Sequence, residues 1–273
     1  MFWRRFKRDR NAVAGLVIIT LIVLMAVFAP VLAPFDINAQ DLAHRREAPS
    51  KAHPFGTDIF GRDILGRIVY GARTTLLAGV LCVLVGGVVG SALGLVAGYY
   101  EGWVSAAIMR AMDVLLAFPY FLLAILIVAV LGPGLVNAVI AVSVTNVPNY
   151  ARVVRSSAMV VKRHEMIEAA RAMGASDARI IFDHVLPNVL APIIVLSTVG
   201  VASAVISTAA LGFLGLGAQP PTAEWGLMLS EGRSYITASP HITFFPGLFI
   251  VLLVLGFNLL GDGLRDILDP RLK

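Results

Sequence analysis

Glu168-Ala169-Ala170-Arg171-Ala172-Met173-Gly174, with Leu186-Pro187-Asn188 further on, is the part of the sequence whose residue types and spacing could do chemistry. It lies in a polar island of about 38 residues, Ala151 to Asn188, between long apolar runs. The chemistry on offer is recognition rather than bond-making. Met166, Ala169, Ala170 and Met173 fall at i, i+3, i+4 and i+7, the spacing of an apolar helical stripe. Glu165, Glu168 and Arg171 take the other faces. Gly174 suits a positive φ and ends that helix. Ser176 caps a second helix, with Asp177 favourable in its first turn. Ile180, Ile181, His184 and Val185 share one side of it, and Pro187 marks the passage to the next apolar run. Two readings stay open at this point. One is an ordinary hairpin. The other is a lever, an exposed helix rigidly joined to a membrane span and shaped to receive force from a soluble partner.

Bond-making patterns are missing. No G-x-x-x-x-G-K-[ST] phosphate loop occurs, and no H-E-x-x-H or G-x-S-x-G pattern. There is no selectivity-filter ring and no series of voltage-sensing arginines. His44, His53, His164, His184 and His241 are scattered, so their spacing specifies no metal site. Cys82 is the sole cysteine; it excludes a disulfide framework and reads as a small packing residue. No cofactor and no nucleic-acid partner are expected.

The elements that must position the island are membrane helices. The chain is 58% hydrophobic and 14% charged, with a mean hydropathy of +0.83, far from the balance of a soluble domain. Six runs approach the roughly 20 apolar residues that cross a bilayer: Ala12–Leu32, Leu76–Tyr99, Val114–Leu131, Leu135–Pro148, Val189–Phe213 and Thr243–Leu260. In lipid the backbone must satisfy itself, and no strand-like alternation is visible, so these are helices. The first run is longer than the roughly 7–15 residues of a signal-peptide core, which favours a retained span over a cleaved leader. The expected fold is therefore an all-α membrane protein with six transmembrane helices.

Charge orients it. With the amino terminus inside, seven of the 22 Lys and Arg residues fall outside: Arg45, Arg46, Lys51, Arg62, Arg67, Arg73 and Arg233. The rest, including Arg152, Arg155, Lys162, Arg163, Arg171 and Arg179 of the island, fall inside. The positive-inside bias makes both termini and the island cytoplasmic. The six runs contain no Asp, Glu, Lys, Arg or His. A proton or ion relay has no footing in them, so energy for uphill transport must arrive from another protein.

Further features fill in the connections. Gly86, Gly90, Gly94 and Gly98 recur every four residues, on one helix face. That face suits close helix packing in a bundle or at a subunit interface, with a pore-lining stripe as the alternative. Ile64, Leu65, Ile68 and Val69 suggest a short amphipathic surface helix or a packed connector in the external loop Phe35–Thr75. Phe118-Pro119 predicts a kink. Gly132-Pro133-Gly134 predicts a tight turn. Thr222 is a candidate cap for a short helix through Trp225, Leu227, Met228 and Leu229. Gly261-Asp262-Gly263 reads as the exit of the last helix.

Glu168-Ala169-Ala170, Gly174 and Leu186-Pro187 resemble the EAA motif of ABC importer permeases, E-A-A-x3-G-x9-I-x-L-P. His184 stands where the general pattern has Ile. The form His-x-Leu-Pro-Asn is similar to the dipeptide, oligopeptide and nickel branch. Phe55-Gly56-Thr57-Asp58, Gly61-Arg62-Asp63, Phe213-Leu214-Gly215-Leu216-Gly217, Pro220-Pro221, Glu224-Trp225-Gly226 and the run from Asn258 to Pro270 resemble the same branch. The resemblance implies a type I ABC importer permease bundle, multi-pass in the bacterial inner membrane. It implies a pore-forming subunit rather than an enzyme. The implied partners are a second homologous permease subunit, two cytoplasmic ABC ATPases, an external or periplasmic solute-binding protein, and membrane lipid. Glu168, Ala169, Ala170, Arg171, Met173 and Gly174 would form the ATPase-coupling element, supported by His184, Leu186 and Pro187. Implied substrates are dipeptides or oligopeptides, with nickel, glutathione or another small solute as alternatives, and a non-transporting scaffold as a distant one. The implied division is 1–71 (basic arm, first span, external loop), 72–262 (permease core, motif loop at 151–188) and 263–273 (cytoplasmic tail).

Overall fold

The computed structural model describes residues 6–268. Arg4, Arg5, Arg271 and Lys273, assigned inside above, lie outside the described residues, as do Asp269 and Pro270. Among the described residues the regular elements are helical, apart from one isolated bridge between Thr57 and Asp63.

Helix α1, Arg10–Val27, is capped by Asp9, whose carboxylate accepts from the Ala12 amide at 2.9 Å. A short helix α2, Ala29–Leu32, follows with Pro30 in its first turn, where a missing amide costs nothing. Helix α3 runs over Ile64–Tyr100, 37 residues, from a cap at Asp63. The separate surface helix expected at Ile64–Val69 is instead the start of α3, and the boundary drawn at residue 71 falls inside it. Arg67 hides this continuity from a hydropathy reading. Its guanidinium is fully buried, donating to Asn38 Oδ1 at 3.0 Å and to the Pro221 and Thr222 carbonyls at 3.3 Å.

The kink expected at Pro119 is a break. Helices α4, Gly102–Leu116, and α5, Tyr120–Leu131, meet at 88°. Pro119 has no amide to donate, and it drives its predecessor out of helical geometry. Helix α6, Leu135–Val161, carries straight through Pro148 and takes up the first third of the polar island. Among the described residues four helices are long and apolar enough to cross a membrane, or five if α4 and α5 count as one broken span. The expected fourth span falls within α6, where Asn137, Asn146, Asn149, Arg152 and Arg155 dilute the apolar character.

The rest of the island is the hairpin of α7, Glu165–Ala172, and α8, Asp177–Arg179. A π turn, Ile180–Val185, leads into α9, Leu186–Phe213. On the other side of the bundle, α10, Trp225–Gly232, precedes α11, His241–Leu268. Glu224, not Thr222, caps α10: its carboxylate accepts from the Gly226 and Leu227 amides at 2.9 and 2.8 Å. Helix α11 does not exit at Gly261–Gly263. These glycines allow close packing, and a Cβ on Gly263 would stand 2.4 Å from the Ala12 Cβ.

The glycine ladder is a second close contact, and a repeated one. A Cβ on Gly86, Gly90 and Gly94 would lie 2.7, 2.5 and 2.6 Å from the carbonyl oxygens of Ser143, Val147 and Ala151. On Gly98 it would lie 2.7 Å from the Ala158 Cβ and 2.8 Å from the Arg155 carbonyl oxygen. Four rungs of α3 thus meet successive turns of α6, backbone against backbone. The ladder packs within the chain, against α6.

Candidate functional site

Helix α7 is amphipathic, but its buried face is not the expected stripe. Ile167 and Ala170 turn inward, 1% and 3% exposed, against Ile180, Ile181 and Val185. Met166, Ala169 and Met173 are exposed, with Met173 at 83%. Glu168 is exposed too, and makes no ion pair among the described residues. The outward surface of α7 therefore carries two methionine side chains flanked by a free carboxylate. Such a surface presents flexible apolar contact area together with a charge that fixes orientation.

Gly174 has φ +83°, and nothing lies within 4 Å of where its Cβ would be. The turn closes with the Gly174 amide on the Arg171 carbonyl at 3.0 Å and the Ala175 amide on the Ala170 carbonyl at 3.1 Å. This is glycine's usual role at a helix C-terminus. Ser176 then accepts from the Arg179 amide and starts α8. Arg171 leaves the outward face and reaches the end of α3, donating to the Tyr99 hydroxyl at 3.3 Å. That hydrogen bond first, and then the Asp177 and Glu168 carboxylates, raise the Arg171 pKa above its ordinary value.

His184, Leu186 and Pro187 stand where the hairpin joins α9. Pro187 has no amide for the Asp183 carbonyl four residues back, and the Leu186 amide instead bonds the Ile181 carbonyl five residues back. The π turn is the local result. The His184 carbonyl accepts from Asn188 Nδ2 at 2.7 Å. From Asp177 to Phe213 the backbone is continuously helical, so α8 is built onto α9 without a joint.

Glu168, Ala169 and Met173 thus gather on one exposed surface, while Ala170 faces the interior. Arg171 faces α3, and Gly174 makes the turn. Sequence reasoning missed Ile167, although its apolar type was a signal. It also missed Tyr99 and its bond to Asp177, 78 positions away, for which no short-range signal exists.

The chain was compared with known proteins. Residues 90–273 match the family described as binding-protein-dependent transport system inner membrane component. Residues 1–49 match the N-terminal TM domain of oligopeptide transport permease C. The dipeptide transport system permease protein DppC of Alkalihalophilus pseudofirmus is 51% identical over 271 residues, 99% of this chain and 89% of that protein. The glutathione transport system permease protein GsiD of Pectobacterium atrosepticum is 50% identical over 273 residues, covering 100% of this chain and 91% of that one. Among solved structures, an inward-facing conformation of the MetNI methionine ABC transporter aligns with TM-score 0.57 at 22% identity. That alignment covers 73% of this chain and 95% of the other, a likeness of fold.

Proposed function

The chain belongs to the binding-protein-dependent transport system inner membrane components, and from that premise we propose that it translocates short peptides in an ATP-driven importer. Peptide cargo is favoured because relatives near half identity are named for dipeptides and for glutathione, itself a tripeptide. In this reading the chain pairs with a second, homologous permease subunit in a bacterial inner membrane. An external solute-binding protein delivers the peptide, and two cytoplasmic ATPases supply the energy. The chain crosses six times with both termini cytoplasmic, α6 being the fourth crossing, packed along the glycine face of α3. The division proposed is functional, with 1–71 as arm, first span and external segment, 72–262 as permease core and 263–273 as tail, its boundaries lying inside α3 and α11.

The observation that carries this reading is the outward surface of α7. Met166, Ala169 and Met173 are exposed beside the unpaired Glu168, on a helix whose other face is anchored by Ile167 and Ala170. An ATPase groove would seat on that surface, with Arg171, Gly174, His184, Leu186 and Pro187 keeping the hairpin in shape. ATP-driven closure of the ATPases would press the hairpin and shift the permease between inward and outward populations. Nucleotide must then favour one of these two states. The test is co-purification. The chain should bring down its ATPase subunits from membranes, and the isolated complex should hydrolyse ATP faster when loaded binding protein is added. A scaffold without transport would show neither.

A further inference from the structure

The Tyr99 hydroxyl touches both arms of the hairpin. It donates to Asp177 Oδ1 at 2.6 Å and accepts from Arg171 Nη2 at 3.3 Å. Arg171 belongs to α7, Asp177 opens α8, and the Gly174 turn lies between them. No other α3 side chain hydrogen-bonds to the hairpin among the described residues. The ring itself is held: it is 3% exposed, the Lys162 ammonium stands 5.6 Å from its centroid, and Lys162 in turn pairs with Glu101 at 3.1 Å. Tyr99 also follows Gly98, the last rung of the ladder, where α3 is pressed against Ala158 of α6.

Two kinds of contact therefore hold the hairpin. Ile167, Ala170, Ile180 and Ile181 share one buried apolar cluster with Tyr99, and such contacts are non-directional and tolerate rotation. The hydroxyl bonds are directional, and both involve a charged partner, which makes them the stronger class. A single oxygen bonded to both arms fixes the angle between them.

We infer that Tyr99 is a positioning residue that carries displacement of the hairpin into the α3–α6 pair. With the latch closed, a push on α7 moves α8 and the end of α3 together, and α9 follows because it continues α8. With the latch open, α7 can tilt about Gly174 while the membrane helices stay in place. Tyr99 touches neither nucleotide nor solute in this scheme. The inference rests on the reading of α7 as the surface that receives the ATPase.

Tyr99→Phe keeps the ring and removes the hydroxyl. The whole complex, with its partner permease, ATPases and binding protein, is reconstituted in proteoliposomes, and peptide taken up per ATP hydrolysed is measured. The expected result is an assembled complex with stimulated ATPase activity largely retained and uptake per ATP down about tenfold, the scale of one charge-assisted hydrogen bond. Asp177→Ala should behave the same way. Asp177→Asn, which keeps an accepting oxygen, should restore most of the ratio. A normal ratio in assembled Tyr99→Phe overturns the inference. So does an equal loss of ATPase and uptake, because the hydroxyl would then serve docking rather than transmission. A wild-type complex in which ATP never drives uptake overturns both the inference and the reading beneath it, and is seen before any variant is compared.

Discussion

Gly90 lies so close to Val147 that a Cβ on the glycine would stand 2.5 Å from the valine's carbonyl oxygen. The neighbour there is backbone, which cannot rotate aside. Gly90→Leu must therefore push α3 and α6 apart, at a cost of about 1–3 kcal/mol typical of overpacking or more. The melting temperature in detergent should fall and assembly with partners should weaken. An unchanged melting temperature would show that the two helices can separate freely.

Gly174 presents the opposite case. No atom crowds its Cβ position, so any penalty comes from φ +83° alone. Gly174→Val should bear at least the roughly 1–2 kcal/mol of a left-handed residue and impair transport in an assembled complex. Gly174→Asn should be milder, because Asn tolerates that region. Equal defects in the two variants would mean that side-chain bulk matters, against the open space observed.

Glu168 is exposed and makes no ion pair among the described residues, so reversing its charge should spare the fold and damage the interface. Glu168→Lys is expected to change the stability of the isolated chain by no more than about 0.5 kcal/mol, as for surface substitutions generally. It should sharply reduce ATPase stimulation by the loaded binding protein. Full stimulation would remove Glu168 from the ATPase contact.

Glu224 predicts a pH dependence. Burial pushes its carboxyl above the ordinary glutamate range, opposed by hydrogen bonds from the Gly226 and Leu227 amides and from Thr75. The folded chain thus holds this proton more tightly than the unfolded one. The stability that results is present below the unfolded pKa and is lost as pH rises through the raised folded value. Glu224→Gln has no proton to lose. The advantage of wild type over Glu224→Gln in melting temperature should shrink as pH is raised from about 4, near the unfolded value. An advantage that grows instead would contradict the burial argument.

Features set by local spacing were legible in the sequence. The four-residue period of Gly86 to Gly98 marked a packing face, and Gly174 and Ser176 marked the hairpin turn and the next cap. What depends on distant partners was not. Arg67 reads as a break in hydropathy, yet α3 runs through it because Asn38 and the Pro221 and Thr222 carbonyls receive its guanidinium. Arg62 pairs with Asp58 at 2.6 Å and with Glu231 at 2.7 Å, the latter across 169 positions. Spacing draws the apolar stripe of α7 through Met166, Ala169, Ala170 and Met173, whereas the buried pair is Ile167 and Ala170. Packing against Ile180 and Ile181 selected Ile167. Pro119 announces an interruption, but no short-range signal gives its 88° size.

Glu224 also sharpens the central question, since it is a buried, titratable carboxyl that a charge count of the apolar runs overlooks. The most direct measurement uses proteoliposomes holding the whole complex, with binding protein and radiolabelled dipeptide outside and ATP inside. Collapsing the proton and sodium gradients should leave uptake intact, and removing internal ATP should abolish it. Uptake that persists without ATP and stops with an uncoupler would contradict the account.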